Sequence, residues 1–330
     1  MKRILSMILC LAMLVSALAL VSCGEKAVKL GVGVVYSAEA TDATADAAGK
    51  GSAEITVAAV LVDEEGKIVK CVIDSAAIDV SWNAKGEAAA AGDLKTKYEK
   101  GNGYGMGAYG TDLDGDGVHK EWFEQIDAFC ATVAGKTIDE VKALVANTGY
   151  GVEGGALVNA DCTMNVAGYI KALEKAVANA KTAGANDTAE LGLGIVTTQD
   201  NVNATADKAG SIELETTIVA TATDANGKVV AAESDAVQVA FGFNNAGVKT
   251  APTLKSKREA GADYGMVAWG GATLEWFEQA DAFESVCIGK TADEIKNLIA
   301  ADYKGTEDVK AAGCTIYVSG LVSAAVKAAG

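Results

Sequence analysis

Histidine, arginine and proline are nearly missing from this sequence: His119 is the one histidine, Pro252 the one proline, and Arg258 the only arginine besides Arg3. Histidine is the commonest general base, and arginine is the residue that grips a phosphate or carboxylate with two parallel hydrogen bonds. With one of each in the body of the chain, neither device can recur at a second place. Positive charge is scarce as well, 28 Lys and Arg against 44 Asp and Glu for a net charge of −16. Such a surface repels nucleic acid and anionic lipid, so no nucleic-acid partner is expected. No apolar run after residue 21 approaches the roughly 20 residues that a membrane-spanning helix needs. The seven cysteines show no zinc-ligand spacing. Half the residues are nevertheless hydrophobic, enough to bury a core, and the chain does not read as disordered.

The amino terminus carries an address. Lys2 and Arg3 precede an apolar run from Ile4 to Val21 that closes in Leu20-Val21-Ser22-Cys23-Gly24. This is the layout of a secretory signal, and its end resembles the bacterial lipobox. That resemblance implies cleavage before Cys23 and acylation of its thiol, with residues 1–22 as signal peptide and 23–27 as a tether. The expected location is extracytoplasmic, with the membrane as a partner through the lipid. Loss of Lys2 and Arg3 takes the net charge from −16 to −18.

What the rest of the chain has is itself, twice. Glu121-Trp122-Phe123-Glu124-Gln125 returns as Glu275-Trp276-Phe277-Glu278-Gln279, each running on into Asp-Ala-Phe. Leu30-Gly31-Val32-Gly33 returns as Leu191-Gly192-Leu193-Gly194, Tyr104-Gly105-Met106 as Tyr264-Gly265-Met266, and Gly135-Lys136-Thr137 as Gly289-Lys290-Thr291. Self-similarity in fixed order at this period is a tandem duplication, with repeats at 28–184 and 189–330, rather than a solenoid of short units. The spacer from Lys181 to Thr188 joins them. Because neither copy holds a conspicuous catalytic motif, function is sought in what both share.

Within each repeat the hydrophobic pattern alternates first with a strand period and later with a helix period. Strands are expected at Lys29 to Val35, Ala53 to Val62 and Ile68 to Ile73, the last two joined by a tight turn at Asp63-Glu64-Glu65-Gly66. The second copy has Ile212 to Thr223, Asp224-Ala225-Asn226-Gly227 and Val229 to Ala232. Trp82 and Phe243 fall at equivalent strand ends. Trp122, Ile126, Phe129 and Val133 share one helical face, matched by Trp276, Ala280, Phe283 and Cys287, so both tryptophans belong to a core. Thr137 with Glu140 and Thr291 with Glu294 have capping-box spacing. Asp161 to Val166 and Gly313 to Val318 are read as a short strand entering a helix. The fold class is α+β, two tandem copies of a mostly antiparallel sheet packed with helices.

Other features are particular. The lysines of Leu94-Lys95-Thr96-Lys97 and Leu254-Lys255-Ser256-Lys257 are read as solvated charges rather than phosphate ligands. Between Gly110 and Glu121 the first copy alone carries an insert in which Asp112, Asp114, Asp116 and Gly117 match positions 1, 3, 5 and 6 of a calcium loop. Position 12, where a bidentate glutamate belongs, is Phe123. Weak Ca2+ binding by the first repeat is the expectation, against a plain acidic loop. His119 lies inside this insert and is expected to be exposed. Without Cys10 and an acylated Cys23, five cysteines remain, and of these only Cys162 and Cys314 are equivalent. Cys71 aligns with Ala232, Cys130 with Glu284 and Cys287 with Val133, so no disulfide is common to both repeats.

The turn running from Asp63 to Lys67 and from Asp224 to Lys228, and the carboxyl ends around Thr163 and Thr315, resemble the FMN-binding domain of bacterial envelope electron-transfer lipoproteins and of a sodium-pumping quinone reductase subunit. The resemblance implies a bound flavin, with Thr163 and Thr315 at the positions that can carry FMN as a phosphoester. Asp161-Cys162 and Gly313-Cys314 replace that family's Gly-Ala, and Leu157 and Val309 stand where it has an aspartate, which counts against a covalent link. The cofactor-binding candidates are Thr163, Thr315, Gly313, Tyr104, Met106, Tyr264 and Met266, the glycine-rich loops supplying backbone N–H groups and aromatic faces. The expected function is an envelope lipoprotein that binds a small molecule, FMN first, in extracytoplasmic electron transfer. The alternative is a non-enzymatic surface module, solute-binding, structural or adhesive. A hydrolase is disfavoured because the second repeat has no histidine. Cys23→Ser is expected to move the protein from the membrane to the soluble fraction; a variant that stays membrane-bound and lipid-labelled contradicts the anchor.

Overall fold

The structure is a computed structural model and describes residues 24–108 and 119–330. Strands β1 (Ala27–Thr41), β2 (Gly49–Val62) and β3 (Ile68–Trp82) form an antiparallel meander. The second repeat builds the same meander from β5 (Glu190–Val202), β6 (Gly210–Thr223) and β7 (Val229–Phe243). Each sheet has four strands, in the orders β3-β2-β1-β4 and β5-β6-β7-β8, where β4 is Lys181–Asn186 and β8 is Thr253–Ser256. The segment expected to be a spacer is therefore largely a strand, which pairs Ala185 with Val28 and closes the first sheet at its β1 edge. The strands also run longer than their apolar alternation suggested: β1 and β5 continue past the buried rows into exposed ends, and β7 runs on to the buried Phe243.

The two sheets lie face to face. Val28, Leu30, Val32 and Val34 of β1 and Ile55, Val57, Ala59 and Leu61 of β2 point inward to meet Ile212, Leu214, Val237, Val239 and Phe241 of the second repeat in one shared core. The alternate residues point outward, where Ala58, Val60 and Val62 pack under the helices of the first repeat and Val219, Val229 and Ala236 under those of the second. The result is four layers: helices, sheet, sheet, helices. Each repeat does build a core beneath its own helices, but a third core is made jointly.

The repeats are related by a pseudo-two-fold axis, shown by contacts that exchange equivalent partners. Ala43 N donates to Gly247 O (3.0 Å) while Ala204 N donates to Gly86 O (2.8 Å). Lys175 of the first repeat reaches Glu259 of the second, and Lys327 of the second reaches Glu99 of the first. The equivalent rings of Trp82 and Phe243 stack 4.9 Å apart at 10°, and Trp82 Nε1 donates to Gly247 O (2.9 Å).

Helices α1 (Lys97–Lys100), α2 (Trp122–Val133), α3 (Ile138–Lys142), α4 (Ala156–Asn159) and α5 (Ala167–Ala178) cover the first sheet. Helices α6 (Lys257–Ala260), α7 (Trp276–Cys287), α8 (Ala292–Ile295), α9 (Glu307–Ala311) and α10 (Ser319–Ala329) cover the second. The anchoring face of α2 is buried as its spacing required, and so is that of α7. The recurring Leu-Gly-x-Gly now has a cause. A Cβ on Gly33 would sit 2.0 Å from the carbonyl oxygen of Ala172 in α5, and one on Gly194 would sit 1.9 Å from that of Ala324 in α10. Only glycine lets the helix backbone lie this close to the strand. No helix among the described residues is long and apolar enough to cross a membrane.

Because the central core belongs to both repeats, denaturant is expected to unfold them in a single transition. Trp82→Ala should lower the stability of the whole by about 3–5 kcal/mol. Two separated transitions by tryptophan fluorescence and circular dichroism, only one of them shifted by the substitution, would show instead that the repeats are independent.

Candidate binding cleft between the repeats

The motif shared by α2 and α7 organises the residues expected to bind a cofactor. Glu121 Oε2 accepts from Met106 N (2.9 Å), and Glu275 accepts from Met266 N (2.9 Å) and Val267 N (3.1 Å), so the Tyr-Gly-Met loops are fastened to the first turn of each helix. The last residue of the motif reaches the other way. Gln125 Oε1 accepts from Thr163 N (3.0 Å), Thr163 Oγ1 (3.3 Å) and Met164 N (3.1 Å), while its amide donates to Lys120 O (2.9 Å). Gln279 repeats this with Thr315 N (2.8 Å), Thr315 Oγ1 (3.0 Å) and Leu274 O (3.1 Å).

The cofactor candidates are thus gathered around one helix motif within each repeat, but the N–H groups of Met106, Met266, Thr163 and Thr315 and the two threonine hydroxyls are already taken by Glu121, Glu275, Gln125 and Gln279. Burying an amide without partners costs several kcal/mol, which is why glutamine here serves the fold. The expected strands at Asp161 to Val166 and Gly313 to Val318 do not form. These residues are loop, apart from a bridge between Tyr317 and Lys304, because Gln125 and Gln279 supply the partners that a neighbouring strand would have given. Thr163 and Thr315 precede the first turns of α5 and α10, which begin at Ala167 and Ser319. Asp161 has a positive φ of 59° where Gly313 has 114°, and it pairs with Lys120.

Two of the lysines read as solvated are buried. Lys97 and Lys257 are 7% and 5% exposed. Lys97 Nζ donates to Glu54 (2.7 Å) and lies 5.5 Å over the Tyr104 ring and 5.8 Å over that of Trp122. Lys257 pairs with Glu215 (2.6 Å) between Tyr264 (5.2 Å) and Trp276 (5.6 Å). A carboxylate and two ring faces replace water around each ammonium, an environment that the residue order alone does not reveal. His119 is exposed, as expected. Asp112, Asp114 and Asp116, with Cys23, lie outside the described residues, and among the described residues no cluster of His, Cys, Asp and Glu could hold a metal ion.

The most distinctive polar site lies where β1 and β4 of the first repeat meet β7 and α6 of the second. A cleft of about 350 Å3 is lined by Val32, Val34, Lys181, Glu233, Asp235 and Arg258, among others. An adjoining cleft of about 340 Å3 shares Lys181 and Glu233 and reaches Asp281 and Glu284 of α7. Both volumes fall within the range of small-molecule sites. The Lys181–Glu233 ion pair (3.1 Å) stands between them. Arg258 is the hub: Nη1 meets Asp281 (2.8 Å), Nη2 meets Glu284 (2.8 Å), Nε donates to Ser234 O (2.7 Å), and Glu233 lies 3.5 Å away.

Positive charge is in short supply in this cleft. Glu233, Asp235, Glu259, Asp281 and Glu284 share Lys181, Arg258 and, through Glu259, Lys175. Burial pushes the Glu284 carboxyl up to about 7, with Arg258 pulling it down and Glu233 pushing it further up. Burial likewise raises Asp235, which accepts from Ser256 Oγ, Arg258 N and Ala236 N. Carboxyls whose hold on a proton is strengthened beside a cleft make it a candidate site.

No family model, curated protein or solved structure matches this chain.

The site therefore rests on its own geometry. Arg258 and Glu284 carry no repeat signal, since Arg258 stands opposite Tyr98 of the first repeat and Glu284 opposite Cys130, whereas Asp235 and Asp281 stand opposite Asp74 and Asp127. The visible signal was the alignment of the two copies, read for its mismatches. A pH experiment tests the network. The folded value of Glu284 lies above its ordinary 4.5, so its contribution to stability is fully present below about pH 4.5 and is lost as the pH rises through about 7. Glu284→Gln imitates the protonated acid. The wild-type melting temperature minus that of the variant should fall between pH 4.5 and 7.5, the full change corresponding to at most about 3 kcal/mol. A difference that does not vary with pH would show that the carboxyl is already ionised at pH 5.

Proposed function

We propose that this chain is an extracytoplasmic lipoprotein, anchored through Cys23, that holds a small positively charged solute in the cleft between its repeats. The observation carrying this reading is the cleft itself, about 350 Å3, lined by Glu233, Asp235 and Glu259 against Lys181 and Arg258, with the Asp235 carboxyl raised by burial. An ammonium entering beside Glu233 and Asp235 would favour the ionised form of Asp235, whose carboxyl burial raises, so binding would release protons and strengthen with rising pH. The apolar side chains of Val32 and Val34 would cover a short aliphatic spacer. A net charge of −16 draws cations toward such an opening and turns anions away.

The same field opposes the phosphate of FMN, and the N–H groups expected to receive it at Thr163 and Thr315 already have an acceptor. Flavin binding and electron transfer thus become the competing outcome. Calorimetry of the whole mature protein with spermidine, and separately with FMN, distinguishes them. One-to-one binding of spermidine is expected, at least tenfold weaker at pH 6 than at pH 8 and at least tenfold weaker in Glu233→Gln. Binding of many spermidines unaffected by Glu233→Gln would mean surface attraction only. Saturable binding of FMN without spermidine binding would restore the flavin reading.

A further inference from the structure

The strand-to-helix junction that Arg258 ties together in the second repeat is built differently in the first. There, Cys71 of β3 faces Cys130 of α2, and Cys71 Sγ donates to Cys130 Sγ at 3.2 Å across a sequence separation of 59 residues. Their counterparts are Ala232 and Glu284, and Glu284 is the carboxylate that Arg258 holds. Tyr98, which takes the place of Arg258, donates instead to Asp127 at 3.1 Å. One repeat thus fixes its outer helix to its sheet with a guanidinium–carboxylate network, and the other sets two thiols against each other at the same place. We propose that Cys71 and Cys130 form a disulfide that staples α2 to β3.

Three facts support the pairing. A disulfide needs its sulfurs about 2.05 Å apart, so from 3.2 Å they have only about 1 Å to close. Both residues are partly exposed, whereas Cys162, Cys287 and Cys314 are buried. The pairing also resolves the odd cysteine count: two of the five join, and three stay as small buried hydrophobes.

The oxidant is a low-molecular-weight disulfide. Burial and the neighbouring Cys130 sulfur raise the Cys71 thiol, so the first attack is assigned to Cys130, which gives its proton to solvent, displaces one thiolate from the reagent and forms a mixed disulfide. Cys71 then loses its proton to solvent, attacks the sulfur of Cys130 and expels the second thiolate. In sum, two protein thiols and one disulfide reagent give one protein disulfide and two small thiols.

The test uses the purified, folded protein, exposed to oxidised glutathione at pH 8, alkylated and mapped without reduction. A peptide pair joining Cys71 to Cys130 is expected, with a melting temperature roughly 5–10 °C higher than that of the reduced form and reversed by dithiothreitol. Cys71→Ser should accumulate glutathione on Cys130 and show no such rise. The proposal is overturned if both thiols of the wild type remain alkylatable, if glutathione stays on Cys130 with Cys71 free, or if the cross-link joins other cysteines. None of these outcomes depends on the solute reading.

Discussion

A four-stranded sheet that is apolar on both faces cannot stand in water with one face covered. In each repeat the helices protect only the outer face, and the inner rows of Val, Ile, Leu and Phe are removed from solvent only by the other repeat. At about 25 cal/mol per Å2 of apolar surface, that mutual burial outweighs any single polar contact between the halves. The duplication is therefore a structural requirement: the second copy serves as the partner that a homodimer would otherwise provide, with the same exchange of equivalent contacts across a two-fold axis. The position of the cleft follows from this packing, since it opens only where one repeat meets the other.

Most of what the two copies share turns out to hold this arrangement together. The turn aspartates Asp63 and Asp224 each accept two backbone N–H groups. Gly135 and Lys136 exchange backbone hydrogen bonds with Ile68, as Gly289 and Lys290 do with Val229. Thr137 and Thr291 close the expected capping boxes. These features were legible because each is local: a turn, a cap or a helical face is fixed by residues a few positions apart. The shared glycines of β1 and β5 were visible as a motif but not as a mechanism, since the helix that needs them comes some 140 residues later in each copy (Gly33 against Ala172, for instance).

What the sequence concealed is non-local. Alternation said that strands had an inner and an outer face, but not that both would be buried, and so not that the sheets would stack. Lys97 and Lys257 looked like surface charges because lysine usually is one; their burial depends on Glu54 and Glu215, more than 40 positions earlier. The carboxyl-end segments form loops rather than the expected strands, and the buried amide that replaces the ladder lies on another element. Many of the residues repeated in both halves are engaged in the fold, as Gln125 and Gln279 are with Thr163 and Thr315.

Function is better sought where the two-fold symmetry breaks. Strand β4 lies on the β1 edge of the first sheet, and β8 pairs with β7 in the second, so the two edges of the sandwich are unlike. Lys181 at the start of β4 reaches Glu233 of β7, and Arg258 gathers Glu284 and Asp281 behind it. An ion pair placed away from water costs more in lost hydration than it regains unless its geometry is nearly complete. Here the carboxylates outnumber their cationic partners, and burial raises both the Glu284 and the Asp235 carboxyl. The first repeat has Cys130 at the place of Glu284 and Val72 at that of Glu233, but keeps a carboxyl, Asp74, at that of Asp235. The second repeat keeps charges beside an open cleft, an arrangement suited to a guest that brings the missing positive charge with it.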